Sequence, residues 1–249
     1  MTQTLYTSGK YLEENPMWHA DESPWKVAGI LHILKKHDLQ PQTICEAGCG
    51  AGDVLRLLQE NLPQTCEFLG YDISPQAMEL CQPKENAQLH FKLADIVAEQ
   101  NSQQFDLLLM MDVLEHLEDY FSFLRSMRNK SVYKIIQLPI DISLRSVFFE
   151  DFSEYHRLYG HLHYFTKETA LQMVRDAGYD VLDYYYNGPR SDASIDWHLM
   201  QKKPRLLPRQ LLVSLKRTLS QKTYDLLCAI NHDFAVRLAG RQRILILAQ

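Results

Sequence analysis

The sequence predicts an α/β fold, in which a mostly parallel sheet carries helices on both faces. Residues 43–72 have the pattern strand (43–47), glycine-rich turn, helix, strand, which opens a nucleotide-binding βαβ unit. A near-continuous apolar run over 105–111 is typical of a central parallel strand that is covered on both faces. Short apolar runs with strand or helix spacing continue along the rest of the chain.

Length and composition suit one large domain. The chain has 249 residues, of which 46% are hydrophobic, enough for a core of normal size. It has no run of about 18 apolar residues, and its first residues lack the basic and apolar regions of a signal peptide. We therefore expect a cytoplasmic protein without a membrane partner. Five cysteines with no CxxC pair argue against a disulfide framework or a zinc site.

Charge is distributed unevenly along the chain. The net charge is −5, yet residues 201–249 carry ten Lys and Arg against only Asp225 and Asp233. A solvated helical face explains such a segment, and an acidic partner, a nucleic acid or a membrane surface are alternatives. We favour the solvated face, because the aromatic residues expected of a nucleic-acid stacking surface are not interleaved with these charges.

The turn after the first predicted strand carries Gly48, Gly50 and Gly52. Glycine accepts backbone angles that other residues avoid, and it has no Cβ to obstruct a ligand that lies against the main chain. A dinucleotide fingerprint would place its third glycine at the position of Asp53. An aspartate at a helix start repels a pyrophosphate, so the sequence disfavours a nicotinamide-dependent reductase.

The pattern Glu46-x-Gly48-x-Gly50-x-Gly52, with Asp72 ending the next strand, resembles the first two motifs of class I S-adenosylmethionine-dependent methyltransferases. The resemblance implies a Rossmann-like sheet of seven strands in the order 3-2-1-4-5-7-6, with the last strand antiparallel. It implies S-adenosylmethionine as the cofactor, with Gly48 and Gly50 giving it room. Glu46 would then lie near its amino-acid end, and Asp72 would accept hydrogen bonds from both ribose hydroxyls.

By the same resemblance, residues further along the chain are also expected in the cofactor site. Asp95 follows the third predicted strand, over 88–93, where the family's acidic residue hydrogen-bonds the adenine amino group. The alternative is that Asp95 caps the following turn. Ile73 and Ile96 are expected as apolar walls. The cofactor-binding residues that we expect are Glu46, Gly48, Cys49, Gly50, Asp72, Ile73, Asp95, Ile96 and Met111.

The fourth predicted strand delivers Asp112, Glu115 and His116 to the carboxyl edge of the sheet, where open α/β sheets bind ligands. This segment resembles the corresponding motif of small-molecule O-methyltransferases, and it lacks the Asn/Asp-Pro-Pro-aromatic signature of amino-directed enzymes. A hydroxyl that attacks a methyl group must lose its proton, which a histidine can take near neutral pH. His116 is our first candidate for the catalytic base, followed by His161 and His163. The alternative is that His116 only bonds to backbone at a helix start.

A metal-assisted form of this chemistry is a further alternative. Asp112, Glu115 and His116, joined by His161 or His163, resemble the cluster of metal-dependent ubiquinone-pathway and small-RNA ribose O-methyltransferases. A divalent ion there would lower the pKa of the substrate hydroxyl. The family pattern has Glu where this chain has Asp112, one methylene shorter, so we expect no metal ligands.

Helix signals lie between the predicted strands. Ser23-Pro24 and Ser74-Pro75 each place an N-cap residue before a proline at the first helical position. Thr166 caps a helix that Gly178 ends. Further strands are predicted over 132–138, 181–186 and 243–248, and further helices over 119–128, 208–219 and 221–238.

The interval 140–165 is too long for a plain connection and is rich in Tyr, Phe and His, so we expect the acceptor pocket there. In many class I methyltransferases the N-terminal segment lies over the cofactor, which makes Tyr11, Trp25 and Lys26 lid candidates. Packing of Trp25 on the core is the alternative. We predict one domain, 1–249, with an N-terminal lid (1–40), a cofactor-binding core (41–186) that contains the insertion 140–165, a helical excursion (187–240) and a final strand (241–249).

These features predict methyl transfer to a small or medium-sized acceptor of aromatic or sugar character, with a hydroxyl as the target. The non-enzymatic alternative is a binding or scaffold protein that keeps the fold without turnover. The helical excursion could cover the pocket, bind a partner or form a homodimer surface, and its residues do not choose among these roles.

Overall fold

The computed structural model describes residues 20–99, 104–188, 222–240 and 242–249. Its centre is a seven-stranded sheet of order β3-β2-β1-β4-β5-β7-β6, which confirms the predicted order. The strands are β1 (Thr43–Ala47), β2 (Glu67–Asp72), β3 (Leu89–Leu93), β4 (Phe105–Met111), β5 (Ser131–Pro139), β6 (Val181–Asn187) and β7 (Arg243–Ala248). The first five run parallel, and β7 runs antiparallel between β5 and β6.

Helices pack on both faces of this sheet. The described helices are α1 (Ser23–Lys36), α2 (Asp53–Asn61), α3 (Pro75–Cys81), α4 (Tyr120–Met127), α5 (Leu144–Phe149), α6 (Phe152–Tyr159), α7 (Lys167–Asp176), α8 (222–230) and α9 (His232–Ala239). Side chains of α1 and α2 join one core, and those of α4, α7 and α9 join the other. Along β4, Leu107 and Leu109 enter the first core, while Leu108 and Met110 enter the second. The continuous apolar run of β4 is explained by burial on both faces.

Local signals place several helix starts correctly. The side chains of Ser74 and Thr166 each accept a hydrogen bond from the backbone N–H three residues later, at the starts of α3 and α7. The predicted N-cap Ser23 is instead the first residue of α1, whose N-cap position is Glu22. Proline fits either of the first two helical positions, because the first N–H groups of a helix have no intrahelical acceptor. The Ser-Pro pair therefore does not by itself fix the cap.

The insertion 140–165 and the helical excursion 187–240 differ from the prediction in their helices. The interval 140–165 contains two short helices, α5 and α6. The helix predicted over 221–238 is interrupted at Asn231, whose side chain accepts the N–H of Phe234 and so caps α9. The helix predicted over 208–219 and the lid candidate Tyr11 lie outside the described residues. Among the helices described, none is long and apolar enough to cross a bilayer.

Candidate active site

The predicted site residues lie at the carboxyl edge of the sheet, where β1 and β4 are neighbours and the strand order reverses. Open α/β sheets bind ligands in this crevice. The turn after β1 packs directly against the turn after β4, since a Cβ added to Gly48 would lie 2.8 Å from Val113 Cγ2. Glycine is therefore needed at position 48 for the two turns to meet.

The glycine turn has a left-handed backbone. Gly48, Gly50 and Gly52 have φ angles of 72°, 54° and 78°, a region that favours glycine. The N–H groups of Gly48 and Cys49 donate to the carbonyl oxygen of Tyr71 at 2.8 and 3.0 Å. These bonds tie the turn to the end of β2 and bring the two expected cofactor motifs together.

Asp72, the last residue of β2, joins the motifs through its side chain. Its Oδ2 accepts the N–H of Gly50 at 2.8 Å, and its Oδ1 accepts the N–H of Ser74 at 2.9 Å. Burial raises the pKa of Asp72 even though these N–H groups act to lower it. Each carboxylate oxygen has a second lone pair, so Asp72 retains the capacity to accept hydrogen bonds from two hydroxyl groups.

Glu46 is buried near the end of β1, with 2% of its surface exposed. Within the described residues, its Oε2 has no hydrogen-bond partner. Burial raises the pKa of Glu46 to about 8; Lys26 acts to lower the pKa, and Asp72 and Asp53 add to the rise. A buried carboxyl oxygen without a partner is unusual in a native protein. Glu46 is therefore placed to accept a hydrogen bond from a ligand.

The other expected cofactor residues differ in exposure. Ile96 and Met111 are buried, one in each core. Cys49 packs in a small apolar cluster with α3 residues, and Ile73 is half-buried. Asp95 is exposed, and its Oδ1 accepts the N–H two residues later at 2.9 Å. Asp95 therefore caps the following turn, which was the alternative to its role in binding the cofactor.

Asp112 follows β4 in a left-handed backbone conformation, with φ of 58°. Its carboxylate lies 2.8 Å from Lys26 Nζ and 3.4 Å from Arg243 Nε, and Gln137 Nε2 donates to it at 2.9 Å. Burial acts to raise the pKa of Asp112, but the two cations hold the pKa well below its usual range. The lid candidate Trp25 is half-buried and lies over the Arg243 guanidinium, 5.1 Å from its central carbon. Asp112 and both described lid candidates therefore belong to one charged network.

Glu115, His116 and His161 form a compact cluster beside this network. Their ligand-type atoms all lie within 4.8 Å of one another. Glu115 is 0% exposed, and neither of its carboxylate oxygens has a hydrogen-bond partner among the residues described. Burial raises the pKa of Glu115 well above its usual range, and the charge of Asp112 adds to the rise. A buried carboxyl without a partner calls for an explanation, and together with the two imidazoles it offers donor atoms that could hold a ligand or an ion.

Both histidines of the cluster are oriented through Nδ1. His116 Nδ1 lies 3.2 Å from the carbonyl oxygen of Gly160, and His161 Nδ1 lies 2.8 Å from Asp141 Oδ2. A carbonyl or carboxylate partner favours the proton on Nδ1. Nε2 is then the nitrogen that can accept a proton or bind a metal, and in His116 it lies 3.9 Å from Glu115 Oε1.

His163 and Asp112 are not part of this cluster. His163 Nε2 lies 2.9 Å from the carbonyl oxygen of Leu117, and its ring packs edge-on against Tyr120, with ring centres 4.7 Å apart. Asp141 was absent from the sequence-based candidates. Its place just after β5, at the carboxyl edge of the sheet, is the signal that identifies it.

Comparison with known proteins adds to this geometry. A family model described as a methyltransferase domain matches residues 17–184, which include the glycine turn and the cluster. A search of curated proteins gave no match. Among solved structures, the fold is similar to a chain of the complex between the Haloferax volcanii Trm112 methyltransferase activator and a candidate methyltransferase. The identity is 14%, the match covers 97% of this chain and 94% of that chain, and the TM-score is 0.62.

Two further structures share the fold. The N-methyltransferase NodS from Bradyrhizobium japonicum WM9, in complex with S-adenosyl-L-homocysteine, is 14% identical over 93% of this chain and 90% of its own, with a TM-score of 0.54. Magnesium protoporphyrin IX methyltransferase from Synechocystis PCC 6803, with bound S-adenosyl-L-homocysteine, is 18% identical over 69% of this chain and 78% of its own, with a TM-score of 0.51. At these identities, the likeness concerns the fold alone.

Proposed function

Because the chain belongs to the class I S-adenosylmethionine-dependent methyltransferases, we propose that it transfers the cofactor's methyl group to a hydroxyl of a small or medium-sized acceptor. The observation that carries the proposal is the cluster of Glu115, His116 and His161 at the carboxyl edge of the sheet. A hydroxyl must lose its proton as it is methylated, whereas a neutral amine attacks without prior help. The imidazoles at this edge supply the proton acceptor that a hydroxyl needs.

The residues at the glycine turn fit the cofactor. S-adenosylmethionine supplies an activated methyl group on a sulfonium. The left-handed glycines add no side chain of their own that would obstruct a ligand lying against the main chain of the turn. Glu46 Oε2, buried without a partner among the residues described, would accept a hydrogen bond from the ammonium group. Asp72 would accept the two ribose hydroxyls with the lone pairs that Gly50 and Ser74 leave unused.

His116 is the proposed proton acceptor. The Gly160 carbonyl at Nδ1 leaves Nε2 as the basic nitrogen. The acceptor oxygen must approach within about 3 to 3.5 Å of the methyl carbon, so the base has to be fixed in place. His163 is the second candidate, with Nδ1 as its basic nitrogen because Nε2 faces the Leu117 carbonyl.

The acceptor pocket is proposed beside α6. The rings of Tyr155 and Tyr159 lie 6.3 and 5.5 Å from that of His161. An aromatic wall of this kind suits a planar or sugar-like acceptor, whose faces pack well on rings.

Metal-assisted methyl transfer is a second candidate, favoured by the unpartnered buried carboxyl of Glu115. A divalent ion held by Glu115, His116 and His161 would lower the pKa of the acceptor hydroxyl. The carboxylate of Asp141 on His161 Nδ1 is the kind of support that metal-bound histidines ordinarily have. Asp112 would not join such a set, because its carboxylate is engaged by two cations.

The test is methyl transfer from radiolabelled S-adenosylmethionine to a panel of hydroxyl, amine, nucleic-acid and protein acceptors. We expect label in a hydroxyl acceptor only. His116→Ala should lower turnover by about a hundredfold or more, with binding of S-adenosylhomocysteine unchanged. His90→Ala, an exposed histidine of β3, is the matched control.

Label found only in amines, nucleic acid or protein would overturn the hydroxyl proposal. Cofactor binding without transfer to any acceptor would favour the scaffold alternative. EDTA separates the histidine-base mechanism from the metal-assisted one. Loss of activity that a divalent ion restores would support the metal-assisted mechanism, and activity that EDTA leaves unchanged would exclude it.

A further inference from the structure

Asp112 has a backbone conformation that most residues avoid, at the point where the chain enters the candidate active site. Its φ angle is 58°, in the left-handed region that favours glycine. In the described part of the chain, Asp38 and Glu150 are the only other non-glycine residues with a positive φ. Such a conformation costs free energy, although aspartate tolerates it better than most residues. It persists where the surrounding structure holds it, often at a functional site.

Three elements of the fold hold Asp112 in this conformation. From β5, the carbonyl oxygen of Gln137 accepts the N–H of Asp112 at 3.1 Å, and Gln137 Nε2 donates to the Asp112 carboxylate at 2.9 Å. Lys26 of α1 and Arg243 of β7 pair with the same carboxylate. Gln137 is fully buried, and Asn187 Nδ2 donates to its Oε1 at 3.0 Å. The main chain and the side chain of Asp112 are therefore both fixed from outside its own turn.

The backbone of Asp112 sets the direction in which the chain leaves β4. The next residue, Val113, lies against Gly48, since a Cβ added there would be 2.8 Å from Val113 Cγ2. Gly48 in turn donates its N–H to the carbonyl oxygen of Tyr71 in β2. A change of φ at position 112 to the ordinary helical value would be a rotation of about 120°. Val113 could not keep its place against the glycine turn after such a rotation.

The catalytic cluster begins from the same point. Leu114–His116 form a short 3-10 helix directly after Val113, and the N–H of His116 donates to the carbonyl oxygen of Val113 at 3.1 Å. Glu115 and His116 therefore reach the cluster by way of the direction that Asp112 sets. One residue thus lies at the start of both the cofactor-side contact and the cluster.

We propose that Asp112 is a positioning residue for cofactor binding: its carboxylate, held by Lys26 and Arg243, keeps the left-handed backbone that places Val113 against the glycine turn. The residue acts through Val113 and not as a metal ligand or a proton acceptor. The inference rests on the proposed cofactor site at the glycine turn. The alternative is an ion pair that stabilises the fold and has no effect on the turn.

The test compares substitutions of Asp112 by calorimetric titration of the full chain with S-adenosylhomocysteine. Asp112→Ala and Asp112→Gly both remove the carboxylate and leave the same two cations, but only glycine accepts the left-handed region without strain. We expect Asp112→Ala to weaken binding at least about tenfold. Asp112→Gly should stay within about threefold of the wild type. Asp112→Asn, whose side chain also tolerates this region, should do the same.

Asp38→Ala is the matched control. Asp38 is an exposed aspartate with a φ of 51°, and it lies between α1 and β1, before the strand begins. Its replacement introduces the same backbone strain outside the proposed site, so it should lower the melting temperature and leave S-adenosylhomocysteine binding unchanged.

A second substitution tests the contact through which Asp112 acts. Val113→Ala removes the methyl groups that lie on Gly48 and should weaken S-adenosylhomocysteine binding about threefold. Added to Asp112→Ala, it should weaken binding little further, because both changes act on one contact. If Asp112→Ala does not fold in thermal unfolding, Val113→Ala tests the same contact by itself, and binding like the wild type would overturn the inference.

The outcomes separate this inference from the cofactor site on which it rests. Wild-type protein that binds no S-adenosylhomocysteine would overturn both. If the wild type binds, an equal loss in folded Asp112→Ala and Asp112→Gly would overturn the positioning role alone, because the charge and not the backbone would then matter. Folded Asp112→Ala that binds like the wild type would also overturn it and would leave a purely structural ion pair.

Discussion

Cofactor binding should release a proton from Glu46. In the free protein, burial raises the pKa of Glu46 to about 8, so at pH 7 about nine side chains in ten are protonated. The cofactor's ammonium group would be an opposite charge beside this carboxyl, and a nearby cation favours the carboxylate. We therefore expect release of about 0.9 proton per bound cofactor at pH 7.

The same linkage sets the pH dependence of affinity. Deprotonating a group one unit below its pKa costs about 1.4 kcal/mol, which is tenfold in Kd. Affinity for S-adenosylhomocysteine, which has the same amino-acid end, should rise about tenfold per unit between about pH 5.5 and 7. The ligand's own amino group stays protonated in this range, since such groups have a pKa of about 7.7 to 8.0. The change in affinity therefore belongs to the protein.

The measurement is calorimetric titration at pH 7 in buffers that differ in ionisation enthalpy. The slope of the observed enthalpy against the buffer's ionisation enthalpy counts the protons released. Glu46→Gln keeps the shape of the buried side chain and should remove both the slope and the pH dependence. Glu60→Gln, at an exposed carboxylate of α2, should keep both. A wild-type slope near zero, or a slope that survives in Glu46→Gln, would refute the reasoning.

Three further substitutions test other parts of the structure. Asp72→Ala should weaken S-adenosylhomocysteine binding about tenfold to a hundredfold in calorimetry, because a charged hydrogen-bond acceptor is lost. An equal loss in the control Asp176→Ala, at an exposed carboxylate, would contradict the proposed role of Asp72. Burial lowers the pKa of Lys134 to about 8 from an unfolded value of 10.5. The folded state then binds fewer protons than the unfolded state between these values, so wild-type stability should rise with pH there. Lys134→Met should raise the urea midpoint below pH 8 and flatten this dependence; an unchanged midpoint would contradict the assignment. Gly48→Ala places a Cβ 2.8 Å from Val113 at a residue with a left-handed backbone. It should lower the free energy of unfolding by about 1 to 3 kcal/mol, measured by thermal unfolding. An unaltered melting temperature would count against the packing of the two turns.

The sequence by itself determined the elements whose signals are local. The strands predicted over 43–47 and 105–111 have the same bounds as β1 and β4. The first strand is followed directly by a glycine turn, and the second is a continuous apolar run because both of its faces are buried. Gly50 and Asp72 could be assigned to one site because parallel strands joined by a helix end at the same edge. Their hydrogen bond is the direct result.

Only the tertiary structure decided which polar side chains meet. Glu115 and His116 follow β4, whereas His161 and His163 come much later and look equivalent in the sequence. The N–H groups of Leu162 and His163 donate to the carbonyl oxygen of Glu115 at 2.8 and 3.2 Å, which fixes this irregular segment. His161 then lies in the cluster, while His163 faces the Leu117 carbonyl.

The ion-pair partners of Asp112 likewise could not be predicted from the sequence. It follows β4 beside Glu115, so its position in the chain suggested the same cluster. Its carboxylate is instead paired with Lys26 and Arg243, which come from opposite ends of the chain. Ion pairing depends on distance in space and on burial, because both set the strength of the interaction. A linear pattern specifies neither of them for residues so far apart.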